Sequence, residues 1–226
     1  MAIVKTPVKK RRSTSTGVEQ KVGYHHGNLS KALLDGALRL LEEGGIDAVT
    51  TRACAGLAGV SAGAIRNHFP DKRALLAGLA ANGYAVLAHR RQTQPVANVG
   101  LEKALEVIIG NYVGFAVENS ALFRLMFAEE SLRRGEFTGL HQASQEGYAQ
   151  LHGIIETAFR HDGLQVKDMD GSIHMIWSAM HGIAMLVIDR QFGEEMLRIL
   201  PVDQRCKQLA YVLTEGLTRT RSSRHK

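Results

Sequence analysis

The segment 50-TTRACAGLAGVSAGAIRNHFP-70 constrains this chain more than any other, because it sets two helix signals around a forced turn. Thr50-Thr51 can cap a helix that Ala53, Ala55 and Leu57 keep thin enough for close packing. Gly59 supplies a tight turn where a β-carbon would be costly. Val60 plugs the angle between the helices, and Ser61 caps the next one by accepting a backbone N–H bond. Ile65 and Phe69 are four apart and share the core face, which turns Ala62, Gly63, Arg66 and Asn67 outward. Pro70 stops this helix and Asp71 caps a longer one over 72–92.

Residues 59–63 also fit the G-x-S-x-G pattern of a hydrolase nucleophile elbow. An elbow needs a strand running into Ser61, and TTRACAGLAG has helical rather than β-branched character. No histidine or aspartate sits in a recognisable strand-end context. Ser61 is therefore expected to be a cap and the chain not to be an enzyme.

Elsewhere helical spacing dominates and nothing repeats at a fixed period. Leu34, Ala37, Leu38 and Leu41 form one apolar stripe that Gly44-Gly45 ends. Further helices are expected near 101–118, 121–132, 138–161, 169–192 and 203–220, after a loop at 94–100. The fold class is all-α: an N-terminal three-helix unit at 25–76 and a helical unit at 77–226, preceded by a basic tail at 1–24.

Charge divides the chain. Residues 1–92 hold 14 Lys/Arg against 6 Asp/Glu, whereas residues 93–226 hold 14 against 16. A basic first part on a mildly acidic remainder points to a polyanion partner for the first part alone. The tail carries Lys9-Lys10-Arg11-Arg12, read as a solvated source of nonspecific affinity in preference to a minor-groove arm. With no run of 18 apolar residues, no membrane partner is expected. Cys54 and Cys206 are too few for a disulfide framework, and a reducing cytoplasm is the expected compartment. No spacing of His, Cys or carboxylates suggests a metal, and no cofactor is implied.

The skeleton Thr51-Arg52, Ala55, Gly59-Val60-Ser61, Gly63, Ile65, His68-Phe69, Asp71-Lys72 and Leu75-Leu76 resembles the DNA-binding domain of the tetracycline-repressor (TetR) family, over about residues 25–76. The resemblance implies a dimeric, all-helical, ligand-responsive transcription regulator, usually a repressor of a palindromic double-stranded operator. It would bring Thr51 and Arg52 to the DNA from the second helix. Ala62, Gly63, Ala64 and Asn67 would lie at the major groove, His68 and Lys72 would meet phosphates, and Arg66 could hold a phosphate or reach a guanine. Members usually carry a tyrosine where this chain has Arg66, so the preferred DNA sequence cannot be inherited. A ligand-independent DNA-organising protein is the alternative.

The second half is expected to hold an effector pocket and a homodimer face. Segment 177-WSAMHGIA-184 resembles the W-x-x-x-H-G signature of one C-terminal domain type of that family. Tyr112, Phe115, Phe123, Met126, Phe127, Tyr148, Trp177 and His181 are the candidate lining of a pocket for a small apolar effector. Met126, Met175, Met180 and Met185 could make it adaptable. His181 is read first as a packed histidine with a satisfied hydrogen bond. Ile183, Leu186 and Val187, with Leu209, Val212 and Leu213, offer more apolar surface than a solvated helix pair needs, which suits a four-helix dimer bundle.

Overall fold

The computed structural model describes residues 26–93, 96, 98–128, 132 and 134–219. The tail at 1–24 and its basic cluster lie outside the described residues. All regular structure among the described residues is helical: α1 (His26–Ala48), α2 (Thr51–Leu57), α3 (Ala62–Arg66), α4 (Lys72–Gln92), α5 (Leu101–Glu118), α6 (Ser120–Met126), α7 (Thr138–His161), α8 (Met169–Ile188), α9 (Glu194–Ile199) and α10 (Val202–Arg219), with a 3-10 turn at Arg134–Glu136.

The first four helices are set by their ends. In α1 the regular helix breaks at Gly45, where φ is +70°. Thr50 caps α2 by accepting from the Ala53 N–H at 3.1 Å. Gly59 has a left-handed φ of +67°, so the chain reverses there at no steric cost to a side chain. Ser61 Oγ accepts from the Ala64 N–H at 3.2 Å and Asp71 Oδ1 from the Ala74 N–H at 2.8 Å. The short helix α3 is anchored through Ile65 and Phe69, which are buried. Gly78 of α4 lets the Phe69 ring approach so closely that a β-carbon there would lie 2.7 Å from it.

Helix α4 packs against α1 at one end and against α5, α6 and α7 beyond. It runs straight through the division expected at 76/77. Helix α5 is the axis of the second half, in contact with α4, α6, α7, α8 and α10. Its N-cap, Gly100, has no side chain, and Asp162 at the end of α7 substitutes by accepting from the Leu101 N–H at 2.7 Å. That bond, and secondarily His161, holds the Asp162 carboxyl below its ordinary pKa.

The helix expected to run from Ser61 to about Phe69 closes early, at Arg66, and the second half differs from expectation at two helix ends and one additional helix. The helix expected over 121–132 is α6, which closes at Phe127, whose N–H turns back to the Arg124 and Leu125 carbonyls. The helix expected to reach 192 stops at Ile188, because Arg190 adopts φ +54° and the Arg190 and Gln191 N–H groups cap the last carbonyls. The additional helix α9 follows and ends before Pro201, with Leu200 extended as a residue preceding proline must be. Cys54 and Cys206 are both buried and free, and burial raises both thiols, Cys206 to about 11, so both remain protonated.

The turn gives a direct test. Gly59→Ala should destabilise the protein by about 1–2 kcal/mol, because nothing crowds a β-carbon there and the cost is the left-handed backbone alone. Chemical denaturation measures it; an unchanged midpoint would mean that the turn relaxes to negative φ.

Candidate DNA interface and ligand cavity

Helices α2 and α3 pack on each other, with Cys54, Ala55 and Ile65 buried. Arg52, Ala62, Gly63, Arg66 and Asn67 are exposed, while Thr51, Ala64, His68 and Lys72 are half-buried. All nine residues with expected DNA roles thus lie on the α2–α3 unit or the first turn of α4. Ala62 and Gly63 put only small side chains on the exposed start of α3. Arg52, Arg66 and Lys72 bring three cations, the last at a helix N-terminus whose dipole also favours anions.

The Ser61 hydroxyl caps α3 by accepting from the Ala64 N–H, and the residues before it form a helix and turn where a nucleophile elbow has a strand.

The second site is a cavity of about 410 Å³ between α4, α5, α7 and α8. Tyr112, Phe127, Tyr148 and Trp177 line it, as do Tyr84, Leu87 and Arg91 of α4 and Ser144, Gln145 and Leu151 of α7. The other four expected lining residues lie elsewhere. Phe115, Phe123 and Met126 are wholly buried in the core behind the wall. His181 supports the wall from outside: its Nδ1 shares a hydrogen bond of 2.9 Å with the Tyr112 hydroxyl, and its ring stacks on Phe123. Burial pushes the His181 pKa down, which favours the neutral ring in this setting. Trp177 Nε1 donates to the same hydroxyl at 3.4 Å, so one phenol ties α5 to two turns of α8. None of the four methionines lines the cavity. Met126 and Met180 are core residues and Met175 is exposed.

The missed lining has a readable signal. Tyr84, Leu87 and Arg91 fall at i, i+3 and i+7, so Arg91 continues an apolar stripe. Its neighbour Arg90 points outward and is held by both carboxylate oxygens of Glu118, at 2.5 and 2.9 Å. Arg91 is only 8% exposed and donates to the Gly147 carbonyl at 2.8 Å.

Comparison with known proteins places both parts of the chain in one family. Residues 33–79 match the model of bacterial regulatory proteins of the tetR family, and residues 105–204 match that of the tetracyclin repressor-like C-terminal domain. The curated proteins contain no significant match. Among solved structures, a protein of unknown function from Rhodococcus sp. RHA1 is 27% identical, with a TM-score of 0.71 over 87% of this chain and 99% of its own. The TetR-family regulator PfmR of Thermus thermophilus is 17% identical, with a TM-score of 0.59 over 82% of this chain and 98% of its own. The transcriptional regulator FadR of Bacillus subtilis, solved in complex with stearoyl-CoA, is 17% identical, with a TM-score of 0.60 over the same shares. With both parts of the chain matched and the all-helical fold shared, this chain belongs to the TetR family of bacterial transcriptional regulators.

Proposed function

We propose that the protein is a dimeric, effector-responsive repressor that leaves a palindromic operator when a small, largely apolar molecule fills the α4–α8 cavity. The observation that carries this reading is helix α4. Its first turns hold Lys72 and the glycine that seats Phe69, and its last turns hold Tyr84, Leu87 and Arg91 in the cavity wall. About 28 Å of one helix therefore connects the recognition helix to the ligand. A ligand that binds one α4 position better than another shifts the population of recognition-helix placements by its differential affinity.

The dimer reading rests on α8 and α10. Both bury one face against α5, yet Met175, Leu186, Tyr211 and Val212 remain exposed. A second copy related by a twofold axis would cover this surface and form the four-helix bundle expected of the family. It would set two α3 helices about 34–36 Å apart, one turn of DNA. In this arrangement Thr51, Arg52, Ala62, Gly63, Ala64, Arg66, Asn67, His68 and Lys72 face the operator. Arg66, standing where members of the family usually carry a tyrosine, keeps hydrogen-bond donors and adds a charge that suits a phosphate or a guanine edge.

Three measurements test this. Lys72→Ala should weaken binding to all DNA and lower the slope of log affinity against log salt by about one; an unchanged slope would remove the phosphate contact. Arg66→Ala or Asn67→Ala should alter sequence preference in a selection on random DNA, whereas a uniform loss across sequences would put them on phosphates. The double variant Leu186→Glu/Val212→Asp should give a helical monomer by light scattering that has lost operator affinity. A dimer that persists would place the interface elsewhere.

A further inference from the structure

Four arginines illustrate how this fold handles cationic side chains. Arg73 is paired with Glu136 at 2.7 Å, Arg90 with Glu118, and Arg124 with Asp189 at 2.5 Å. All three are partly exposed, where a counter-ion is least needed. Arg91 is the most buried of the four, and among the described residues its sole hydrogen-bond partner is a backbone carbonyl, with no carboxylate. The order of need is inverted. A guanidinium taken out of water without a counter-ion is costly, and it cannot escape by losing its proton. Burial accordingly pushes its pKa down, with the nearby Tyr112 phenol opposing in part.

A protein retains such a group where something else supplies the charge. Arg91 stands at the wall of the aromatic cavity and also lines a neighbouring groove with Gln150 and Ile154. One carbonyl occupies one of its five N–H donors, which leaves enough of the planar fork for a two-oxygen acceptor. We propose that Arg91 is the anion anchor of the effector site, and that the effector is a carboxylic acid with a compact apolar body. The body lies against Tyr84, Phe127, Tyr148 and Trp177, and the carboxylate pairs with Arg91. Among the described lining residues of the aromatic cavity Arg91 is the one Lys or Arg, so a single negative charge is matched. A pyrophosphate or a nucleotide would leave most of its charge uncompensated.

This assignment rests on the cavity being the effector site, and matched pairs of probes separate the two. Calorimetry on the full-length protein would compare 2-naphthoate with 2-naphthamide and decanoate with decanamide, and add decanoyl-CoA. Each amide keeps the shape of its acid and removes the charge. The expected result is that in at least one pair the acid binds about tenfold tighter or more. That preference should be abolished in Arg91→Gln and kept in part by Arg91→Lys. Equal binding of acid and amide, or tighter binding of decanoyl-CoA than of decanoate, would overturn the anion anchor and leave the cavity standing as a ligand site. An acid preference untouched by Arg91→Gln would also overturn it. If no probe binds at millimolar concentration, the cavity fails as the effector site and the anchor fails with it. Because the acid-to-amide ratio is read first on the unaltered chain, a folding defect in Arg91→Gln would not obscure the outcome.

Discussion

The seating of the Phe69 ring on α4 is the contact on which the DNA-facing half depends. Helix α3 spans only Ala62–Arg66, far too short to hold its own shape in water. Its position is borrowed from the two side chains that bury, Ile65 and Phe69, and from the caps at Ser61 and Asp71. Phe69 reaches α4 at Gly78, with Leu34 of α1 also close to that point. The recognition surface is thus a short helix attached to a long one. Where α4 goes, α3 must follow, since packed interiors have little room to absorb a shift.

The same helix is gripped at its other end by different forces. Gly83 brings α4 so close to α6 that a β-carbon would lie 2.6 Å from the Met126 sulfur. The Tyr84 hydroxyl donates to the Met126 carbonyl at 3.2 Å, and Arg91 donates across to α7 at Gly147. Arg73, near the start of α4, is paired with Glu136 and lies 5.5 Å from the Phe137 ring centroid. Polar ties concentrate where α4 meets the helical half, while apolar contacts hold it to α1 and Phe69. A hydrogen bond between helices has a preferred distance and direction, whereas the Phe69 seat rests on apolar packing.

Legibility in the sequence followed locality. The helix-turn-helix could be read because its determinants act within four residues: Thr50 on Ala53, Gly59 on its own φ, Ser61 on Ala64, Asp71 on Ala74. The cavity could be read only in part, because its walls come from four helices and an aromatic side chain carries no mark of which neighbour it faces. Phe123 and Phe127 are one turn apart at α6, yet one is core and the other borders the cavity. The stop of α8 at Ile188 was hidden for another reason. Arg190 takes a left-handed conformation that a sequence reader assigns to glycine or asparagine.

Arg91 shows why the polar group mattered more than the aromatic ones. The run His89-Arg90-Arg91 reads as basic residues favourably placed at a helix C-terminus, and for Arg90 with its exposed pairing that reading suffices. One residue further on, a rotation of about 100° carries the next guanidinium into the interior. Dipole stabilisation at a helix end is worth less than the desolvation it would have to offset, so the C-terminal position alone does not account for Arg91. A leucine at 91 would fill the same stripe and remove that desolvation penalty. The penalty is tolerated only if the charge is used, either to hold α7 through Gly147 or to receive an anion. The first use needs one neutral donor, which a glutamine could supply. The second needs the cation itself, and it draws on the donors that the Gly147 bond leaves over.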